Sequence, residues 1–238
     1  MLEHSYNPLF EQLFDDIVKN QVAVEENDSF HMFKVQSFML EVVRIKAKAE
    51  HARNQNEANE AVKKQHAQSG KQGSKPKMPQ VPFKVDVRHI GVSLQFSSFD
   101  YLYSALYRRS IQKSNVKNEN EKVSDKEFNA ALSLFYQILH ILQLMASCSD
   151  SDEASEKNRK NANILRGFIF RNDIVRICLF AFQMFVPQKH SQLFIQDVIS
   201  FTHTYLEHME EFSKGRMLMI KTGRRRKVRK QKKNAKYT

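Results

Sequence analysis

Apolar residues recur every three or four positions through most of this chain, which is the spacing of an amphipathic α-helix. Residues 6–24 carry one such stripe, made up of Leu9, Phe10, Leu13, Phe14, Ile17 and Val18. A cap at Asp28 or Ser29 precedes a second stripe, made up of Phe30, Phe33, Phe38, Val42 and Ile45. Only a few residues separate the two segments, so we predict that they pair as an antiparallel helical hairpin. Residues 46–66 keep a high helix propensity with Val62 as the only large apolar side chain, so they either form a polar extension of the second helix or fray, and we predict the extension.

The pattern changes at residues 69–82, where Gly, Ser and Lys are joined by three Pro. This composition is typical of a flexible, disordered linker. We therefore divide the chain into a helical unit at 1–68, a linker at 69–82 and a helical-repeat body at 83–213. The body opens with alternating β-branched residues at 83–96, which we interpret as an extended segment leading into a helix.

The first two helices of the body are predicted from their caps. One starts at Ser98 or Asp100. The next follows a capping box from Ser124 to Glu127, in which the two side chains satisfy exposed N–H groups of the first turn. Its apolar residues cover most of its circumference, so we expect this helix at the centre of the core. These residues are Phe128, Leu132, Phe135, Ile138, Leu139, Leu142 and Met145.

Residues 147–161 interrupt the apolar pattern with Ser, Asp, Glu, Lys and Asn, and we expect a polar, disordered insert there. A short helical element follows, and then a helix capped by Asn172 or Asp173 and ended by Pro187. The final helix starts near Ser191. Its apolar stripe comprises Leu193, Phe194, Val198, Phe201, Leu206, Met209 and Phe212. This succession predicts an all-α fold of stacked helical hairpins, a fragment of a HEAT- or armadillo-like α-solenoid.

The net charge of the chain is concentrated at one end. From Lys214 to the C-terminus there are twelve Lys and Arg and no Asp or Glu. Residues 1–213 hold the remaining 26 of the 38 basic side chains, which balance the 26 acidic ones, so the formal net charge of +12 lies in residues 214–238. We call residues 214–238 the basic tail. The sequence therefore predicts a neutral helical body with one cationic tail.

The basic tail is the strongest candidate binding site in the sequence. Arg presents a planar fork to phosphate, and release of counterions makes such binding salt-dependent and independent of base sequence. The same run fits a nuclear import signal, so DNA and an import receptor both stay open as ligands. The residues predicted to bind either one are Lys221, Arg224, Arg225, Arg226, Lys227, Arg229, Lys230, Lys232 and Lys233. An apolar step before this run either packs on the body or faces a partner, and it consists of Met217, Leu218, Met219 and Ile220.

The sequence lacks the motifs of an enzyme or cofactor site. It has no Gly-rich phosphate-binding motif and no nucleophile elbow. His203 and His208 are five residues apart and do not share a helix face, and neither Cys148 nor Cys178 has a partner at zinc spacing. Two Cys in a chain of this length favour a reducing compartment. The N-terminus does not resemble a signal peptide, and no run of about 18 apolar residues occurs. We therefore expect a non-enzymatic protein without cofactor, metal or membrane partner.

Two stretches of the sequence resemble the Timeless family of replication-fork proteins. In residues 6–44 the pattern F-x-x-L-F is followed by F-x-L-E, at Phe10, Leu13, Phe14, Phe38, Leu40 and Glu41. In residues 198–233 a helix with the pattern T-x-x-x-L-x-x-M-E precedes an apolar step and an Arg- and Lys-rich run. The helix residues are Thr202, Leu206, Met209 and Glu210. The two stretches cover about a third of the chain, and members of the family are longer, with a helical-repeat block before the first stretch.

The resemblance implies a nuclear, non-enzymatic scaffold built from HEAT- or armadillo-like helices. Proteins of this family pair with a smaller, Tipin-like subunit, travel with the replicative helicase and grip duplex DNA. They support fork pausing and S-phase checkpoint signalling. By resemblance, we expect the same partners and the same location for this chain. The alternative is a generic helical-repeat adaptor whose basic tail is only a nuclear import signal.

Overall fold

The computed structural model describes residues 2–18, 26–68, 78–79, 81–111, 125–148, 153–188 and 190–214. Within these ranges the chain forms seven α-helices, a 3-10 helix at Arg88–Leu94 and no β-strand. The α-helices are α1 (Leu2–Val18), α2 (Glu26–Gln68), α3 (Phe96–Ile111), α4 (Asp125–Ala146), α5 (Glu153–Arg171), α6 (Ile174–Met184) and α7 (Gln192–Ser213). The all-α class predicted from the apolar spacing is confirmed, while the solenoid arrangement stays a prediction.

Helix α4 forms the centre of the molecule and packs against α2, α3, α5 and α7. Its side chains that are at most 1% exposed lie all round the helix, and they include Phe128, Leu134, Phe135, Leu139, Ile141 and Leu142. Full burial of a side chain of this size stabilises the fold by about 1.5–3 kcal/mol. By length and composition α4 is apolar enough to cross a membrane. However, 67% of its most apolar stretch of 18 residues is buried inside the protein, as in a core helix. The central position predicted for this helix is confirmed.

Helix α2 is the longest element, with 43 residues. Its first half packs on α4 through a buried side that includes Phe33 and Leu40, which are 1% and 0% exposed. The helix then continues without a break through residues 46–66 to Gln68. The polar extension predicted from helix propensity is therefore present in the structure.

The C-terminal end of the predicted linker lies along this polar extension. The Gln55 amide donates from Nε2 to the Pro79 carbonyl at 2.6 Å and accepts at Oε1 from the Val81 N–H at 3.0 Å. The prediction of a disordered linker at 69–82 is therefore wrong at its C-terminal end. One amide side chain satisfies two backbone groups here, a contact that composition does not reveal. Residues 69–77 lie outside the described residues.

Helix α1 packs mainly on the 3-10 helix, and α2 mainly on α4, so the predicted hairpin of the first two helices is wrong in its packing. Tyr6 and Ser93 share a hydroxyl hydrogen bond of 2.5 Å, and Asn7 Nδ2 donates to the Arg88 carbonyl at 2.5 Å. A short connection limits the distance between two helices but does not decide which faces meet. The prediction of an extended segment at 83–96 is also wrong from Arg88 onward. A 3-10 helix forms there instead, and its apolar residues pack against the buried side of α1.

Helix α5 begins at Glu153, inside the insert predicted to be disordered at 147–161, so that prediction is wrong from this residue onward. Glu153 and Glu156 lie in the first turn, where carboxylates complement the partial positive charge of a helix N-terminus. Glu156 also pairs with Lys160 Nζ at 2.6 Å. The second half of the helix anchors it to the core through Ala162, Leu165, Ile169 and Phe170. A polar stretch can thus be helical when its charges suit the helix end and its apolar continuation is buried. Residues 149–152 lie outside the described residues.

The caps predicted for the two C-terminal helices are confirmed. Asp173 accepts at Oδ1 from the Arg176 N–H at 3.3 Å, at the start of α6. Ser191 accepts at Oγ from the Phe194 N–H at 3.3 Å, at the start of α7. Each bond satisfies one of the N–H groups that a first turn leaves open. Ser124, predicted to cap α4, lies outside the described residues.

Candidate functional site

The basic tail begins directly after α7 in the sequence, and its predicted binding residues start at Lys221. The described part of the chain ends at Lys214, one residue after that helix. Two predicted sets therefore lie outside the described residues: Lys221, Arg224, Arg225, Arg226, Lys227, Arg229, Lys230, Lys232 and Lys233, and the apolar step of Met217, Leu218, Met219 and Ile220. Their binding to phosphate, to an import receptor or to a partner stays a prediction.

The helix end from which the tail departs is packed against α5. The ring of Phe212 lies 5.3 Å from that of Phe170, measured between centroids. Arg166 donates from Nη2 to Glu211 Oε2 at 3.3 Å, and the side chain of Arg166 is only 4% exposed. These contacts fix the last turn of α7, so a ligand held by the tail would be tethered to an ordered part of the body.

Two histidines lie side by side between α4 and α7, close to this helix end. His208 is 1% exposed, and its ring centroid lies 6.5 Å from that of His140. Tyr136 packs edge-on against His140 at 4.4 Å. Neither ring nitrogen of His208 has a hydrogen-bond partner in the part of the chain that the structure describes. A buried imidazole in such a place is strongly disfavoured when charged, so the site favours neutral histidines.

The surroundings of both histidines lower the pKa of their imidazole rings. Burial, together with the smaller effects of the neighbouring Arg166 and His140, lowers the pKa of His208 to about 4. Burial also lowers the pKa of His140 to about 4, together with the positive charges of Arg44 and Lys48. Because His208 is closed to solvent and uncharged near neutral pH, it suits packing between helices better than proton transfer to a substrate.

The two cysteines are buried and poorly suited to nucleophilic chemistry. Burial raises the pKa of the Cys178 thiol to about 11, so little thiolate is present near neutral pH. Cys148 is 3% exposed. Within the described ranges, no three His, Cys, Asp or Glu side chains come together as a possible set of metal ligands. That the protein is not an enzyme stays a prediction from its sequence.

Two of the clefts on the described surface lie beside α2, α4 and α7, and both are small. One, of about 100 Å³, lies between α4 and α7, where Tyr136 and Asp197 contribute to its lining. The other, of about 170 Å³, lies between α2 and the chain around the 3-10 helix, where Val42, Asp86 and His89 contribute. Pockets for small-molecule ligands usually measure about 300–1,000 Å³. Neither cleft therefore suits a cofactor-sized molecule.

Helix α2 exposes a row of large apolar side chains on the side away from α4. They are Val35, Phe38, Val42 and Ile45, which are 47%, 59%, 39% and 56% exposed. We call these four residues the outer face of α2. Three of them, Phe38, Val42 and Ile45, belong to the stripe predicted to be buried, and for these the prediction is wrong. The helix carries apolar residues on two sides, and only the side that includes Phe33 meets α4.

Helices α6 and α7 show the same division. In α7, Val198 and Phe201 are fully buried as predicted, whereas Leu193 and Leu206 are 69% and 46% exposed. The predicted stripe of α7 is therefore wrong at Leu193 and Leu206. Helix α6 exposes a row of three residues at intervals of four and three, Val175, Leu179 and Phe182, which are 40%, 58% and 39% exposed. Apolar surface thus remains on both of these helices, and the outer face of α2 is the longer row.

Comparison with protein-family models, curated proteins and solved structures found no match for this chain. The class of the protein therefore follows from its own helices, which make it all-α. The resemblance to the Timeless family, and the partners and location that it implies, stay predictions.

Proposed function

We propose that this protein is a non-enzymatic nuclear scaffold of the replication fork protection complex, of the Timeless type. Its helical body binds a Tipin-like small subunit and the replicative helicase, and its basic tail contacts the phosphates of duplex DNA. By holding these components together, it supports fork stability, fork pausing and S-phase checkpoint signalling.

The separation of charge along the chain is the observation that carries this proposal. A body without net charge is followed by a tail with twelve basic and no acidic residues. Such a tail neutralises phosphates and releases their counterions, which gives binding without sequence preference. A scaffold that moves along DNA needs contacts of this kind, because base-specific contacts would hold it at one site.

The second candidate is a helical-repeat adaptor whose basic tail serves only as a nuclear import signal. The run from Lys221 to Lys233 favours this candidate as much as the first, because import signals are Lys- and Arg-rich segments of the same length. The two candidates differ in what the tail binds once the protein is inside the nucleus.

The test compares the full chain with a variant in which Arg224, Arg225 and Arg226 are changed to Ala. A matched control changes three exposed lysines of the body to Ala, and these are Lys63, Lys64 and Lys126. Binding to two unrelated DNA duplexes is measured over a salt series. We expect the tail variant to bind both duplexes more weakly and to lower the salt slope by roughly 2 to 3, whereas the control changes little.

A pull-down from nuclear extract with the same three proteins tests the proposed protein partners. Recovery of a Tipin-like protein and of helicase subunits by all three supports the scaffold and assigns the protein partners to the body. Unchanged DNA binding by the tail variant, together with recovery of import receptors alone, would reject the fork proposal in favour of the adaptor.

A further inference from the structure

The outer face of α2 has the geometry of a helix-docking surface. Its residues, Val35, Phe38, Val42 and Ile45, follow each other at intervals of three, four and three positions. This spacing places them in one row along the helix, over about 15 Å. On the opposite side, Phe33 is 1% exposed, so the row is presented on a helix whose other side is fixed in the core.

Single exposed apolar residues are common on proteins, but a continuous row is not. Each of the four side chains of the outer face is at least 39% exposed. Partner helices that dock in this way are held by apolar anchors at intervals of three and four positions, which is the spacing found here. Farther along α2, the polar extension shows no exposed large apolar residue in its described part.

Basic residues border the row on both sides. Lys34, Lys46 and Lys48 are all exposed. Rotation by 100° per residue places Lys34 and Lys48 along one border and Lys46 along the other. Acidic residues lie near this row as well: Glu41 pairs with Arg44 at 3.4 Å, Asp197 of α7 lies within reach of the charge of Lys34, and Glu50 and Asp86 line one cleft with Lys46. From residue 31 to residue 48 the helix thus carries four basic side chains and one acidic side chain.

We propose that the outer face of α2 binds an amphipathic helix of a partner protein whose apolar stripe is bordered by Asp and Glu. The apolar row anchors the partner, and the lysines select its charge. A second copy of this chain fits less well, because two copies would bring their lysine borders together. A lipid surface fits less well too, because one row of four side chains is narrow for insertion among acyl chains. The proposal does not depend on the fork function.

The test measures binding of two designed 21-residue helical peptides to the full chain by fluorescence anisotropy. Both peptides carry Leu at alternating intervals of three and four positions. One has Glu at the positions that border the stripe and the other has Lys. We expect the Glu-bordered peptide to bind at least about tenfold more tightly, and the difference to shrink as salt is added.

Two variants locate the binding surface. Phe38→Glu places a negative charge in the middle of the outer face, and Leu179→Glu does the same at a 58% exposed leucine of α6. Circular dichroism checks that both remain folded, which their exposure favours. We expect Phe38→Glu to weaken binding of the Glu-bordered peptide by at least about tenfold, since the burial of one aromatic anchor is lost. The α6 variant should stay within about twofold of the unchanged chain.

Five results would overturn the proposal. Equal affinity of the Glu-bordered and Lys-bordered peptides would rule out a partner helix selected by charge, and so would the absence of binding by either peptide. An equal loss of peptide binding in both variants would show that the peptide does not bind at the outer face of α2. Self-association that Phe38→Glu abolishes, seen by sedimentation, would assign the face to a second copy. Binding to anionic phospholipid vesicles that Phe38→Glu abolishes would assign it to a lipid surface.

Discussion

Helices α2 and α4 carry similar apolar side chains in opposite surroundings. In α4, Phe135 and Leu139 are fully buried, whereas Phe38 and Ile45 of α2 are 59% and 56% exposed. Helix α4 packs against four other helices, while the first half of α2 is buried mainly on the side that meets α4. The difference teaches that the place of a helix among its neighbours decides which of its apolar residues are covered. The apolar content of the helix does not decide it.

The largest expected effect extends this comparison to α7, where one helix has both kinds of residue. Phe201 is 0% exposed and Leu206 is 46% exposed. Phe201→Asp should abolish cooperative folding, because an unpaired carboxylate in an apolar core costs several kcal/mol, roughly the whole stability of a domain. Leu206→Asp should change the free energy of unfolding by less than about 1 kcal/mol. Thermal melting followed by circular dichroism distinguishes the two, and equal damage by both would show that Leu206 is covered.

A smaller effect tests the two helices directly. Phe135→Ala in α4 leaves a cavity among surrounding helices and should lower the free energy of unfolding by about 3–5 kcal/mol. Phe38→Ala in α2 removes an exposed ring and should change it by less than about 0.5 kcal/mol. Urea unfolding of the two variants gives both numbers. A loss of several kcal/mol in Phe38→Ala would mean that the outer face of α2 is part of the core.

Acid should weaken the contact between α4 and α7 by way of the buried histidines. The pKa values of His140 and His208 are lowered to about 4 in the folded chain, while an unfolded histidine has a pKa of about 6.5. Between these values the unfolded chain binds more protons, so stability is fully present above about pH 6.5 and falls as the pH approaches about 4. We expect a loss of roughly 1–3 kcal/mol, less from the partly exposed His140, where solvent screens the charge.

Urea unfolding at about pH 7 and about pH 5 measures this loss, with His208→Leu as the comparison. The variant has one titrating group fewer and should lose less stability between the two pH values. Arg166, Arg44 and Lys48 face the pair as cations, and Glu211 is bonded to Arg166. An equal pH dependence in the variant and the unchanged chain would show that acid acts elsewhere.

The smallest expected effect concerns the polar extension of α2. Gln55→Ala removes both hydrogen bonds to the backbone at Pro79 and Val81. Global stability should fall by no more than about 1–2 kcal/mol, while hydrogen exchange at the Val81 amide should speed up by about tenfold. The neighbouring exposed residue supplies the control, Asn54→Ala, which should leave that amide unchanged. Unaltered exchange in Gln55→Ala would mean that the segment is held by other contacts.

Features that depend on a few neighbouring residues were predictable from the sequence. The all-α class follows from apolar spacing, and the caps Asp173 and Ser191 follow from side chains that reach N–H groups three residues on. Which apolar side of α2 is buried was not predictable, because both sides have helical spacing and the choice is made by α4, a hundred residues away. The start of α5 at Glu153 was missed for a related reason, since its polar first turns are stabilised by an apolar second half.

The two candidate sites differ in the same way in how far they could be predicted from the sequence. The basic tail was found from charge alone, because a one-sided run of Lys and Arg needs no tertiary structure to be seen. The outer face of α2 was missed, since its members Phe38, Val42 and Ile45 have the types and spacing of core residues. Only their exposure distinguishes them from a core stripe.

The continuous 43-residue helix α2 gives this small protein an arm with long reach. At 1.5 Å per residue it extends about 65 Å. Ala47 is 5% exposed and Gln55 is bonded to Pro79 and Val81, so the part that leaves these contacts is the last 13 residues, about 20 Å long. A tilt of about 5° at Gln55 would move the far end of this part by about 2 Å, so the end of α2 amplifies small movements of its packed portion.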